Sequence, residues 1–169
     1  MDFKELIYPP SRNKVTMEQE TRRRERRYRS KPVGPSPSAS SRAVSLQMQS
    51  NKSSGTKPEL TMARALRKRV IESKLPGRPD FVYPKARVAV FVHGCWWHRC
   101  PICDLAQPRT HAEYWKRKLA RNVERDKLNK LELESMGWKV VEIWEHEVKK
   151  NAASAARGIR DFVANAAFT

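Results

Sequence analysis

Residues 76–103 read PGRPDFVYPKARVAVFVHGCWWHRCPIC, and this stretch decides the fold. Pro76-Gly77-Arg78-Pro79 is turn chemistry that delivers Asp80 to the start of a strand. Phe81–Tyr83 and Arg87–Phe91 are short β-rich runs, and Pro84-Lys85-Ala86 between them predicts a hairpin. Directly after the second run come His93, Trp96, Trp97, His98 and every cysteine of the chain, Cys95, Cys100 and Cys103. Acid, imidazole, thiol and paired aromatics therefore converge in one supersecondary unit.

Working outward, Thr56-Lys57-Pro58-Glu59 has the form of a capping box, with Pro tolerated in the first turn. The helix it opens carries Leu60, Ala63, Leu66 and Val70 at helical spacing. From His111 to Met136 the pattern is again helical, with Trp115, Leu119, Val123 and Leu131 on one broad face. Gly137 ends that helix, Trp138–Trp144 reads as a strand, and Ala152–Ala166 as a last helix. Trp138 and Trp144 are expected in the core. The order predicts a small α/β domain with a mixed sheet flanked by helices.

That domain is expected to span residues 41–169. Residues 1–40 contain ten Lys and Arg against five Asp and Glu, with an Arg-rich run to Lys31 and a Pro/Ser run to Ser41. Such a segment buries too little apolar surface to fold alone, so a basic, disordered tail is expected, able to become helical on a polyanion. Of the formal charge of +17, +12 remains on the domain, so its own surface attracts a polyanion, nucleic acid by default. No apolar run approaches the roughly 18 residues of a membrane span, and the N-terminus lacks a signal-peptide core. A cytoplasmic protein without a membrane partner is expected.

Three cysteines within nine positions cannot make an even disulfide framework, and in a reducing compartment such a cluster binds metal. The spacing Cys-x4-Cys-x2-Cys allows three thiolates on one tetrahedral ion, with the fourth ligand supplied from elsewhere. His146, following the third strand in Trp-Glu-His-Glu, is the expected donor. Four protein ligands leave no open position for water, so this Zn²⁺ would be structural. Asp80 is a different kind of ligand, a hard oxygen suited to Mg²⁺. His93 or His98 can take a proton from an attacking water, and Asp126 can orient an imidazole from the long helix. Those groups are what metal-dependent phosphodiester hydrolysis requires.

Four blocks in order carry a resemblance: Pro-Gly-Arg-Pro-Asp, Phe-Val-His-Gly-Cys-Trp-Trp-His, Asn-Val-Glu-Arg-Asp and Gly-Trp-Lys-Val-Val-Glu-Ile-Trp-Glu. Over roughly Ser41 to Val148 the chain resembles the very short patch repair (Vsr) endonucleases. The resemblance implies a zinc-containing, restriction-endonuclease-like fold that nicks DNA beside the T of a T:G mismatch left by deaminated 5-methylcytosine. It implies that Asp80 and the backbone carbonyl of Val92 bind Mg²⁺, that His98 is catalytic with Asp126 as its partner, and that His93 is a second active-site histidine. Trp96, Trp97 and Trp115 fall where that family wedges aromatics into DNA, and Asn122 opens a block that faces the DNA.

Two departures stand out. The chain is several residues shorter than usual between Glu59 and Asp80, so Glu59 is either the family's active-site helix acid or only a capping residue. His146 stands where many members have cysteine, and histidine is an acceptable zinc ligand. A monomer acting on double-stranded DNA is expected. The alternatives are a restriction-type or homing-type endonuclease of the same fold, and a non-catalytic zinc-bearing DNA-binding protein.

Overall fold

Strand β1 (Phe81–Tyr83) pairs antiparallel with β2 (Val88–His93), and β2 pairs parallel with β3 (Lys139–Trp144). The result is the expected mixed sheet, in the order β1-β2-β3. The computed structural model describes residues 33–39, 41–42, 45–46, 49, 51–52, 54–68 and 73–167. The expected tail up to residue 32, and Val70 of the first helix, lie outside the described residues.

Helix α1 (Lys57–Leu66) is opened by Thr56 as expected. The Glu59 carboxylate accepts the backbone N–H of Gly55 at 2.6 Å and the Thr56 hydroxyl at 2.7 Å. The buried face of α1 is Glu59, Met62 and Leu66, whereas Leu60 is exposed. Leu66 is buried and Ala63 packs on the core as expected, but Met62 takes the place of Leu60, because an alanine- and leucine-rich helix offers two neighbouring apolar stripes. Between the first two strands the backbone makes one 3-10 turn at Pro84–Ala86, closed by Arg87 in the left-handed region.

Helix α2 (Ala112–Ser135) runs one residue shorter than expected at each end. Trp115 and Leu119 are buried on it as expected, but Leu128 and Leu133 take the core positions, and Leu131 is exposed. Helix α3 (Glu145–Ala166) begins directly after β3, seven residues before the expected start. Its first turn forms because Glu147 accepts the N–H of Trp144 at 2.8 Å. Asn151 then interrupts the helix with extended backbone and restarts it, its Oδ1 accepting the N–H of Ser154 at 2.9 Å. The expected helix from Ala152 is thus the second half of α3.

Alternation on the strands separates two faces. Val88, Val90 and Val92 of β2 meet Met62 and Leu66 of α1 and Val148, Ala156 and Ile159 of α3 in one apolar core. Each fully buried Val or Leu there contributes about 1.5–3 kcal/mol relative to exposure. The opposite face presents Phe91 and His93 of β2, with Glu142 and Trp144 of β3 as their register partners, toward α2. That second face is where the polar chemistry gathers.

Candidate active site and metal centre

The site is built at the C-terminal ends of β2 and β3. Gly77 lets the chain reach it: its φ is +73°, and a Cβ there would lie 2.8 Å from the side-chain nitrogen of Asn129 on α2. Only glycine suits both demands. Two residues later Pro79 is fully buried, and Asp80 follows with its Oδ2 accepting the Val92 N–H at 2.7 Å.

Burial pushes the Asp80 carboxyl up to about 7, and the nearby Glu59 adds to the rise, while the Val92 N–H and His98 oppose it. Glu59 caps α1, and its charge is also felt at the Asp80 carboxyl. A buried carboxyl that feels a second negative charge favours a nearby cation. The donors present, hard oxygens with little other charge compensation, fit Mg²⁺.

Beside Asp80 lie two imidazole–carboxylate pairs. His98 Nδ1 is 2.5 Å from Asp126 Oδ2, and His93 Nε2 is 3.3 Å from Glu142 Oε1. The two imidazole rings sit 4.3 Å apart between centroids. Asp126 is held below the usual carboxylate range despite its burial, because the His98 hydrogen bond and charge outweigh desolvation. Glu142 is lowered further, to about 2, chiefly by the His93 hydrogen bond and also by Lys130, whose Nζ is 2.8 Å from Oε2. One ligand atom from each of His93, His98 and Asp126 falls within 4.8 Å of the others, with Asp80 outside that triplet. Glu142 and Lys130 were missed in the sequence. The available signal was a carboxylate in the middle of an otherwise apolar strand, Val-Val-Glu-Ile-Trp.

The thiols form a second centre on the far side of Gly94. Cys95, Cys100, Cys103 and His146 bring their ligand atoms within 4.8 Å of one another, a Cys3His arrangement that can hold a metal. His146 Nδ1 lies 3.3 Å from Cys95 Sγ and 3.6 Å from Cys100 Sγ. His146 arrives on the first turn of α3, so the early start of that helix supplies the fourth donor. Desolvation and the neighbouring Cys95 and Cys100 thiols push Cys103 up to about 11. Cys100 is lowered, since hydrogen bonds from the Cys103 and Ile102 backbone and the neighbouring thiols outweigh its desolvation. Crowded thiols of this kind fit a soft-ligand tetrahedral cation, zinc above all. Glu145 ties the loop to α3 by accepting the Cys95 N–H at 3.2 Å.

The tryptophans cluster against the start of α2. Trp96 and Trp97 meet edge-to-face at 4.6 Å, and both contact Trp115, at 5.3 Å and 6.2 Å. Trp115 is buried in this cluster, whereas Trp96 and Trp97 are half-exposed. Asn122 donates its side-chain amide to the Trp97 carbonyl at 3.1 Å, which fixes the loop that carries both indoles. Tyr114, packed on Trp115, also shares a 3.0 Å hydrogen bond with Ser36, a residue of the expected tail. Trp138 is half-buried, and Trp144 is half-buried with its ring 5.4 Å from His93, so it borders the site rather than the main core. No helix among the described residues is long and apolar enough to cross a membrane.

Residues 39–103 match the family described as DNA mismatch endonuclease Vsr. The chain is 40% identical to the type II nicking enzyme V.NaeI of Lentzea aerocolonigenes over 139 residues, covering 76% of this chain and 83% of that one. It is 41% identical to the DNA mismatch endonuclease Vsr of Escherichia coli K12 over 86 residues, covering 51% and 55% respectively. A third relative, the type II nicking enzyme V.NmeDIP of Neisseria meningitidis serogroup C, is 40% identical over 122 residues, 69% of this chain and 82% of its own. A match on this scale means that the chain belongs to the Vsr family and is an endodeoxyribonuclease, acting on the phosphodiester bonds of DNA.

Proposed function

We propose that this endonuclease nicks the T-containing strand of duplex DNA at T:G mismatches produced by deamination of 5-methylcytosine. The observation that carries the reading is the His98–Asp126 pair beside the buried Asp80 carboxyl. Asp80 and the backbone carbonyl of Val92 would hold Mg²⁺, with the Glu59 charge nearby. When bound, that cation supplies electrostatic stabilisation of the phosphate and a more acidic water. Asp126 keeps the Nδ1 proton on His98, so Nε2 of His98 holds the lone pair that accepts a proton from the attacking water. His93 acts as the second imidazole of the site.

Recognition is assigned to the indoles. Inserting an aromatic wedge costs a few kcal/mol of unstacking, least at a mispair, so wedging itself favours mismatched DNA. Trp96 and Trp97 are half-exposed and take that part, with Asn122 steadying their loop and Trp115 forming its base. The word nicking in the names of V.NaeI and V.NmeDIP supports a single-strand cut. Zn²⁺ on Cys95, Cys100, Cys103 and His146 would be structural, within a restriction-endonuclease-like fold of residues 41–169. The enzyme would act as a monomer. Residues 1–40 would add a basic tail that contacts DNA, and reduced thiols suit a cytoplasmic setting.

The test is incubation with Mg²⁺ and strand-labelled duplexes that carry T:G or the paired control. Cutting confined to the T strand of the mismatched duplex, leaving a 5′-phosphate, is expected. Equal cutting of paired DNA would favour the restriction-type alternative, and binding without cutting would favour the non-catalytic one.

A further inference from the structure

We propose that Glu142 is a positioning residue for His93, itself held in place by Lys130, so that the site contains two imidazoles locked in opposite tautomers. The inference rests on the proposed role of His93 in DNA cleavage. Glu142 sits at the fourth position of β3, where its neighbours Val141 and Ile143 pack on the apolar core and a Val or Ile would suit the strand. Placing a half-buried carboxylate there is unfavourable unless its oxygens are engaged. Both are: Oε1 faces His93 Nε2 at 3.3 Å, and Oε2 accepts Lys130 Nζ at 2.8 Å. An ion pair with Lys130 alone would need neither the reach toward His93 nor the second oxygen.

The consequence for His93 follows from hydrogen-bond chemistry. A carboxylate is only an acceptor, so the imidazole nitrogen facing it must carry the proton. Neutral His93 is then protonated at Nε2, leaving the lone pair on Nδ1. His98 is the reverse, protonated at Nδ1 against Asp126 with its lone pair on Nε2. Phe91 lies nearly parallel to His93 at 5.8 Å, and Trp144 is tilted against it at 5.4 Å, so the ring has little freedom to turn over. The 4.3 Å separation of the two imidazoles then sets one nitrogen of each at a fixed place in the site. Lys130 reaches Glu142 from α2, the helix that also carries Asp126, so one helix orients both pairs.

The chain has four histidines, so two-bond proton–nitrogen correlation spectra of 15N-histidine-labelled full-length protein can resolve each ring. The expected result is the Nε2–H form for His93 and the Nδ1–H form for His98. An Nδ1–H form for His93 in the unmodified protein overturns the proposal outright, with no variant needed. In Glu142→Val, a strand-compatible change, His93 should become a mixture of tautomers while His98 stays as it was. Single-turnover cutting should fall about 10–100-fold with DNA affinity unchanged, as loss of an orienting partner generally does. Glu142→Gln, whose carbonyl can still accept the Nε2 proton, should recover most of that rate. A lowered melting temperature with unchanged rate and tautomer in Glu142→Val would make Glu142 merely structural and end the proposal. If His93→Ala cuts like the unmodified protein, the role of His93 fails instead, and the spectra still report on Glu142.

Discussion

Nδ1 of His98 lies 2.5 Å from Oδ2 of Asp126, a contact that joins the loop after β2 to α2, about three turns beyond Trp115. Twenty-eight residues separate the two in the chain, so the pair is a product of the fold and not of local sequence. It fixes a ring whose free nitrogen is proposed to take a proton from water. Asp126→Asn would keep the shape but permit the other tautomer. We expect single-turnover cutting to fall by about 10²–10⁴, the usual worth of general-base help, with DNA binding retained. Unchanged cutting in that variant would remove His98 from the role of base.

Asp80 makes a pH prediction whose sign is opposite to that of most carboxylates. Its folded pKa is raised from 3.8 to about 7, so the folded state holds the proton more tightly than the unfolded chain. Folding is therefore unpenalised below 3.8, loses stability as pH rises toward 7, and carries the full penalty above that. In Mg²⁺-free buffer, Asp80→Asn should raise the melting temperature at pH 8 and leave it unchanged near pH 4. The gain is at most about 4 kcal/mol, taking 1.4 kcal/mol per pKa unit. Adding Mg²⁺ should stabilise the unmodified protein and not the variant, and the same variant should bind DNA without cutting it. A melting temperature that is equal in both proteins at pH 8 would show that the Asp80 carboxyl is well solvated.

Gly77 is the hinge on which Asp80 enters the sheet. Gly77→Ala combines a left-handed backbone with a Cβ 2.8 Å from Asn129, so we expect a loss of roughly 1–3 kcal/mol in chemical unfolding. Asn129→Ala should remove the contacts with the side-chain amide, leaving the Asn129 Cβ at 3.0 Å and the backbone strain, so the double variant should recover only part of the loss. Full recovery would assign the whole effect to packing.

Much of this was legible in the sequence, for physical reasons that particular residues make plain. The hairpin was readable because Phe81–Tyr83 and Val88–His93 are β-rich and Pro84 sits between them. The Cys3His centre was readable from thiol spacing, needing only a histidine after a strand. Helix phase was not: Leu60 and Leu131 look as apolar as Met62 and Leu133, and only the packing of α1 and α2 on opposite faces of the sheet separates them. The early start of α3 was hidden because Asn151 both breaks the helix and caps its second half, so the sequence signal at Ala152 marks a restart. Glu142 showed only as a carboxylate inside an apolar strand, and its role was not legible because its partners His93 and Lys130 lie 49 and 12 residues away.

The Cys3His centre predicts about one zinc per chain by metal analysis. Cys100→Ser should lose metal and solubility together, because ligand deprotonation, metal binding and folding are linked. His146→Cys should keep the metal, since the fourth donor would still be a zinc ligand. Well-folded protein without zinc would remove the structural-metal assignment and leave the thiols as a small buried cluster.

The three clustered tryptophans should separate by experiment because their burial differs. Trp115 is 8% exposed and underlies both of its neighbours, so Trp115→Ala should cost about 3–5 kcal/mol of stability, as large aromatic truncations in a core do. Trp97 is half-exposed, meets Trp96 and Trp115 in T-shaped contacts, and has the Lys118 ammonium 5.6 Å from its ring. Its truncation should cost far less stability and act instead on recognition. With the wedge gone, the weak stacking of a mispair is no longer sensed, so cutting of T:G and paired duplexes should converge. The measurement is the ratio of the two single-turnover rates in Trp97→Ala, read beside its melting temperature. A ratio equal to that of the unmodified protein would move mismatch recognition away from Trp97 and leave that indole as packing for the loop held by Asn122.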